Sequence, residues 1–123
     1  MPTNLPFDEL ALERHAFNMR RMICETIINN GEGHGGPALS CTDILAVLYM
    51  NVMNIDMNDP TGKDCDKFLL SAGHKCLALY AALAEKGIID EKVLSTYNHF
   101  GTPVPGHPDM TKLRGVQFST GSL

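Results

Sequence analysis

The sequence predicts an α/β chain that is mostly helical, with one or two short parallel strands. Apolar residues recur at helical steps near the amino end, at Leu12, Ala16, Met19, Ile23 and Ile27. A short apolar run, Lys67-Phe68-Leu69-Leu70-Ser71, has turn residues on either side. It leads through Ala72-Gly73-His74 into another helical pattern, and strand, glycine turn and helix together are half of a βαβ unit.

Residues 1 to 7 hold two prolines and read as an irregular lead-in. The acids Asp8 and Glu9 then stand where a helix dipole favours them, and the first helix should run to Asn29 or Asn30, where Asn-Asn-Gly-Glu-Gly ends it. A second helix is expected from Ser40, because Ser40 and Asp43 form an S-x-x-D capping box ahead of Ile44, Leu45, Val47 and Leu48. It should end near Met53. Residues 54 to 66 read as a polar connection, and residues 67 to 71 as an inner strand of a parallel sheet.

A third helix follows His74, with Leu77, Tyr80, Ala81 and Ala84 inward and Gly87 as the residue just past its end. Asp90 can start a short helix over 90 to 97. Residues 98 to 115 contain three glycines and three prolines and carry too little periodicity for a regular element. A loop of that length is more often functional than not.

At 123 residues, with 44% apolar and 20% charged, the chain fits one small domain or one piece of a larger one. The net charge is −4 with both signs interspersed, so no basic stripe offers itself to a phosphate backbone, and nucleic acid is not an expected partner. Cys24, Cys41, Cys65 and Cys76 are far apart, form no C-x-x-C pair and follow no signal peptide, which reads as reduced thiols in a cytoplasmic protein. No stretch approaches ~20 uninterrupted apolar residues, so no membrane span is expected.

Three of the five histidines, His34, His74 and His107, directly follow a glycine. A glycine there lets the backbone approach a ligand or take positive φ, and presents the imidazole from a turn. Singly, such a histidine is usually a surface residue; three suggest a shared polar site. His74 is the best placed, at the start of a helix, where free N–H groups and the helix dipole suit a diphosphate. His15 and His99 lack this context. No H-x-x-x-H pair exists, and His107 with Asp109 gives only two ligands where a catalytic zinc needs three. Glu32 is the sole carboxylate in a glycine-rich context, and in a helix-ending loop it reads as solvated.

Four segments, in order, resemble the start of the transketolase family: Gly33-His34-Gly35-Gly36-Pro37, Asp66 through His74, Gly101 through Pro108, and Ser119-Thr120-Gly121-Ser122-Leu123. The resemblance covers about residues 10 to 123, so residues 1–123 are expected to form an incomplete thiamine diphosphate-binding domain. It implies transfer of a two-carbon ketol unit between sugar phosphates of pentose phosphate type. By resemblance, His74 would touch the cofactor diphosphate, His34 and His107 would serve catalysis in the substrate funnel, and Gly121 and Leu123 would approach the cofactor rings.

The family's Gly-Asp-Gly segment and the asparagine that hold Mg2+ are expected beyond residue 123, so the isolated chain is expected to be inactive. Gly35-Gly36 after His34 and the short lead-in resemble the N-terminal subunit of split transketolases, implying a second transketolase chain or domain in a homo-oligomer or hetero-oligomer such as a dimer. The Leu70-Ser71-Ala72-Gly73-His74 segment also resembles deoxyxylulose phosphate synthase, with poorer spacing around the second histidine loop. Two other readings remain: a non-catalytic fragment or binding subunit that associates with a second chain, and an unrelated phosphate-binding module.

Overall fold

A computed structural model describes residues 7–122. The expected lead-in over residues 1–6 lies outside the described residues, as does Leu123. Helix α1 (Glu9–Asn30) starts where Asp8 accepts from the Ala11 amide at 3.1 Å, and ends where Gly31, left-handed, returns its N–H to the Ile27 carbonyl. It buries Leu12, Ala16, Met19, Met22, Ile23 and Thr26. Ile27 is only half-buried. Thr26 donates its hydroxyl to the Met22 carbonyl at 2.7 Å, so its burial leaves no polar group unsatisfied.

The second helical stretch departs from expectation at its start. Helix α2 (Gly35–Ser40) begins five residues before the expected cap, with Pro37 in the first turn, where no amide hydrogen is needed. Helix α3 (Thr42–Val47) continues into a π-helical turn, Leu48–Val52, that ends before Met53. The capping box does not form. Ser40 donates to the Pro37 carbonyl at 2.8 Å, and Asp43 takes the Arg20 guanidinium of α1 through two bonds of 3.0 and 2.9 Å. That fork geometry wins over a single cap bond. The Arg20 guanidinium holds the Asp43 carboxyl below its usual range.

No strand occurs among the described residues, so the expected short parallel strands are corrected to an unpaired extended segment. Lys67 and Leu69 point to solvent while Phe68 and Leu70 turn inward, which is the alternation a strand would have. Phe68 sets its ring edge-on to Tyr49 at 5.7 Å. A parallel ladder, however, needs a neighbour reached through a crossover, and none lies within these residues.

The tightest packing is around helix α4 (Cys76–Lys86), which a 3-10 turn, Gly73–Lys75, introduces. Every residue from Cys76 to Leu83 is buried, so this helix is apolar all round and stands at the centre. Helices α1, α2 and α3, the π turn and both 3-10 turns pack on it. Ile88, Leu94, Val104, Leu113 and Val116 complete the core. Gly87, left-handed, closes α4 as expected. Asp90 starts the 3-10 turn Glu91–Thr96 by accepting from the Lys92 amide. All four cysteines are free thiols, and no helix among the described residues is long and apolar enough to cross a membrane.

Leu83 is fully buried and Ile28 is 76% exposed. Leu83→Ala should therefore lower the unfolding free energy by about 2–5 kcal/mol, and Ile28→Ala should stay within about 0.5 kcal/mol. Urea unfolding of both variants measures the contrast; equal losses would mean that α4 is not the centre of the core.

Candidate functional site

Three glycine–histidine turns lie around α4, and a different physical demand acts on each glycine. Gly33 has φ +141°, and a Cβ there would sit 2.8 Å from Ile27 Cγ1 and 3.1 Å from Leu77 Cδ1. Only glycine lets the chain leave α1 against the core and offer His34 at the start of α2. Gly73 is tight for another reason. Its Cβ would meet Thr120 Oγ1 at 2.8 Å and the Gly121 backbone at 3.0 Å, and its own amide donates to the Gly121 carbonyl at 3.1 Å. The chain's closing segment is thereby held against the residue that precedes His74.

The imidazoles of His34 and His74 meet edge to face, with ring centres 5.5 Å apart and planes at 74°. His34 also shares a cavity of about 360 Å³ with His107, between Glu32, Tyr97 and Asn98. His34 thus links the other two glycine-preceded histidines. His15 is elsewhere, bonded to Glu85 at 2.7 Å, and His99 is exposed in the 98–107 loop.

The irregular 98–107 loop is fixed from below by α4. The Tyr80 hydroxyl donates to the Pro105 carbonyl at 2.6 Å, and the Cys76 thiol donates to the Gly106 carbonyl at 3.1 Å, immediately before His107. Burial pushes the Cys76 thiol up to about 11, against the opposing pull of bonds from Tyr97 and Tyr80, and raises both phenols well above their ordinary range. All three groups therefore keep their protons, and with them their capacity to donate, at neutral pH. Thr96, at the end of the preceding 3-10 turn, shares a hydroxyl bond of 2.8 Å with Thr102 of the loop, and within the loop the Asn98 backbone amide donates to the Val104 carbonyl. Asn98 also donates from Nδ2 to Glu32 Oε1 at 2.6 Å, joining the His34 loop to the His107 loop.

Thr120 Oγ1 is buried and has no hydrogen-bond partner. Beside it is Gly73, the residue that precedes His74. An unpartnered hydroxyl, an imidazole and closely approaching backbone are groups that suit a diphosphate. No cluster of three or more His, Cys, Asp or Glu side chains able to hold a metal occurs among the described residues. Asp109 does not pair with His107; it accepts from the Thr111 amide and hydroxyl at 2.9 and 2.6 Å, which lowers its carboxyl below the usual range. Sequence reasoning missed Tyr80, Cys76 and Asn98 as site-building residues; Glu32 is exposed, as expected, and what spacing did not show is that it accepts from Asn98.

The chain matches the family described as "Transketolase, thiamine diphosphate binding domain" over residues 12–123. It is similar to the 6-deoxy-6-sulfo-D-fructose transketolase subunit SqwG of Clostridium sp. strain MSTE9, with 41% identity over 115 residues, 94% of this chain and 42% of that protein. An apulose-4-phosphate transketolase subunit of Actinobacillus succinogenes is 41% identical over 123 residues, 99% of this chain and 44% of that protein. Among solved structures, transketolase from Leishmania mexicana superposes with a TM-score of 0.84 at 31% identity, over 91% of this chain and 17% of that one. The chain thus spans less than half the length of these curated relatives.

Gly73→Ala should push the Thr120–Gly121 segment away from residue 73 and cost about 1–3 kcal/mol, because most of what its Cβ meets is backbone. Urea unfolding and the amide shifts of Thr120 and Gly121 report this; an unperturbed spectrum would show that the contact is loose. A pH series tests the loop clamp. In the unfolded chain the Cys76 thiol ionises near 9.0, while in the folded chain it holds its proton to about 11. The unfolded state loses that proton first, so stability is whole below about pH 9 and falls towards pH 11, by up to about 3 kcal/mol from this group. Cys76→Ser keeps a donor without that ionisation and should flatten the decline between pH 9 and 10. An unchanged slope would assign the decline to other groups.

Proposed function

Because this chain belongs to the transketolase family, through its thiamine diphosphate binding domain, we propose that it forms one wall of a site where a two-carbon ketol unit passes between sugar phosphates. The observation that carries this reading is the meeting of His34 with His74 at 5.5 Å and with His107 across a shared cavity. His74, with the Thr120 hydroxyl and the backbone around Gly73, donates to the cofactor diphosphate. Gly121 brings its backbone towards the cofactor rings, the role we also give Leu123. His34 and His107 face the substrate, where an imidazole nitrogen holds a sugar hydroxyl and takes or returns its proton. When bound, thiamine diphosphate supplies the carbon centre that accepts the ketol unit.

The diphosphate needs a cation, which we take to be Mg2+. Its oxygen ligands are assigned to polypeptide beyond residue 123, so residues 1–123 form an incomplete domain. Two features support a partner chain or domain. The curated relatives are named as transketolase subunits. Glu32, His34, Asn98 and His107 are all exposed, which leaves the cavity open on a side that a second wall would close. The assembly is then a homo-oligomer or hetero-oligomer, working on sugar phosphates in the cytoplasm. The relatives' names carry different sugars, a sulfo-deoxyfructose and apulose 4-phosphate, which supports a sugar ligand of this broad class without selecting one.

Calorimetric titration of the 123-residue chain with thiamine diphosphate and Mg2+ should show no saturable binding below about millimolar, near −4 kcal/mol. Co-production with the missing polypeptide should restore tight binding and turnover. A micromolar dissociation constant for the chain alone would place the binding determinants within it. In the complete enzyme, alanine at His34, His74 or His107 should lower turnover about 10²–10⁴-fold with little loss of stability. Unchanged turnover in all three would refute the catalytic reading in favour of a binding role.

A further inference from the structure

The cavity between His34 and His107 has an electrostatic character that the ketol-transfer reading does not use. Its lining holds one formal charge, the Glu32 carboxylate, and no lysine or arginine. Asn98 fixes that carboxylate on the wall through the 2.6 Å bond from Nδ2. The clasp is itself tightly set. Asn98 is the single non-glycine residue with positive φ among the described residues, at 58°, and a Cβ on Gly106 would fall 3.2 Å from Asn98 Oδ1. The amide of Asn98 therefore sits between the Glu32 loop and the residue before His107, with one of its two N–H donors given to Glu32. A phosphate or sulfonate entering here would meet a carboxylate and no fixed cation.

We propose that Glu32 is a specificity-determining residue, held by Asn98 so that the cavity takes the uncharged polyhydroxy end of a sugar and turns its anionic end away. The carboxylate accepts hydrogen bonds from sugar hydroxyls, as the imidazoles of His34 and His107 do in one of their tautomers, and it repels phosphate. The proposal rests on the ketol-transfer reading for the identity of the ligand as a sugar.

The test uses the whole 123-residue chain and inorganic phosphate as the probe. Imidazole NMR signals of His34 and His107 are followed at about pH 8, where ordinary imidazoles are neutral, and at fixed ionic strength, with His15 as the internal reference. Glu32→Gln keeps an acceptor for Asn98 and removes only the charge. It should tighten phosphate binding at His34 and His107 at least about fivefold, the effect of one pair of unit charges at ~4 Å in water and a lower bound for the dianion that prevails at this pH, and leave His15 unchanged. Glu32→Ala should give the same gain. Equal phosphate responses in the parent and both variants, including no response in any, would overturn the proposal. So would a gain in Glu32→Ala alone, since the clasp and not the charge would then govern access. None of these readouts involves thiamine diphosphate, so an enzyme that binds the cofactor yet fails this test keeps its ketol-transfer reading and loses the role of Glu32.

Discussion

The hydrogen bond from the Tyr80 hydroxyl to the Pro105 carbonyl, 2.6 Å long, decides where the irregular stretch that follows the helices goes. Residues 98 to 115 have almost no regular hydrogen bonding of their own, so their course depends on contacts with the helical core. Tyr80 and Cys76 are one helical turn apart on α4 and therefore reach adjacent carbonyls of the same loop. Both donors are buried and keep their protons at neutral pH, so the bonds form in a medium of low dielectric, where leaving either carbonyl unpaired would be costly. The position of His107 follows from these two bonds.

The same helix sets the other two histidines. Leu77 of α4 is one of the side chains that excludes a Cβ at Gly33, and α4 itself begins at the turn that carries His74. One apolar rod thus positions three polar loops. The division of labour is physical: the core supplies rigidity through packing, and the loops supply imidazoles that would be costly to bury among apolar side chains. At the ends of those loops Glu32, His34, Asn98 and His107 are exposed, with little packing around them.

Local features were legible in the sequence because local chemistry decides them. The acids at the start of α1, the stop at Asn30, Gly87 and the Asp90 turn all depend on neighbours within four residues. The S-x-x-D pattern at Ser40 misled because Arg20, more than twenty residues earlier, takes the Asp43 carboxylate, a competition that no short window contains. The run at Lys67 to Ser71 has the alternation of a strand, but strands are made by partners. The glycine–histidine turns marked the imidazoles correctly as turn-borne, and their meeting became visible only in three dimensions. Asn98 and Glu32 are 66 residues apart, and Tyr80 and Pro105 are 25 apart; neither pair leaves a trace in spacing.

The burial of α4 on every side has a consequence for the chain as it is made. Helices α1 to α3 precede α4 and can cover part of it, but Val104, Leu113 and Val116, which seal the rest, leave the ribosome after it. Val116 follows Leu83 by about thirty residues, so at roughly 5–20 residues per second the half-covered helix waits about 2–7 s for its last neighbours. During that interval Tyr80 and Leu83, which the later residues around Pro105 and Gly115 cover, form an uncovered apolar surface on a nascent polypeptide, the kind of surface that favours chaperone binding and aggregation. Slowing translation downstream of α4 would lengthen this exposure, so the yield of soluble chain is tied to codon choice over residues 88 to 116.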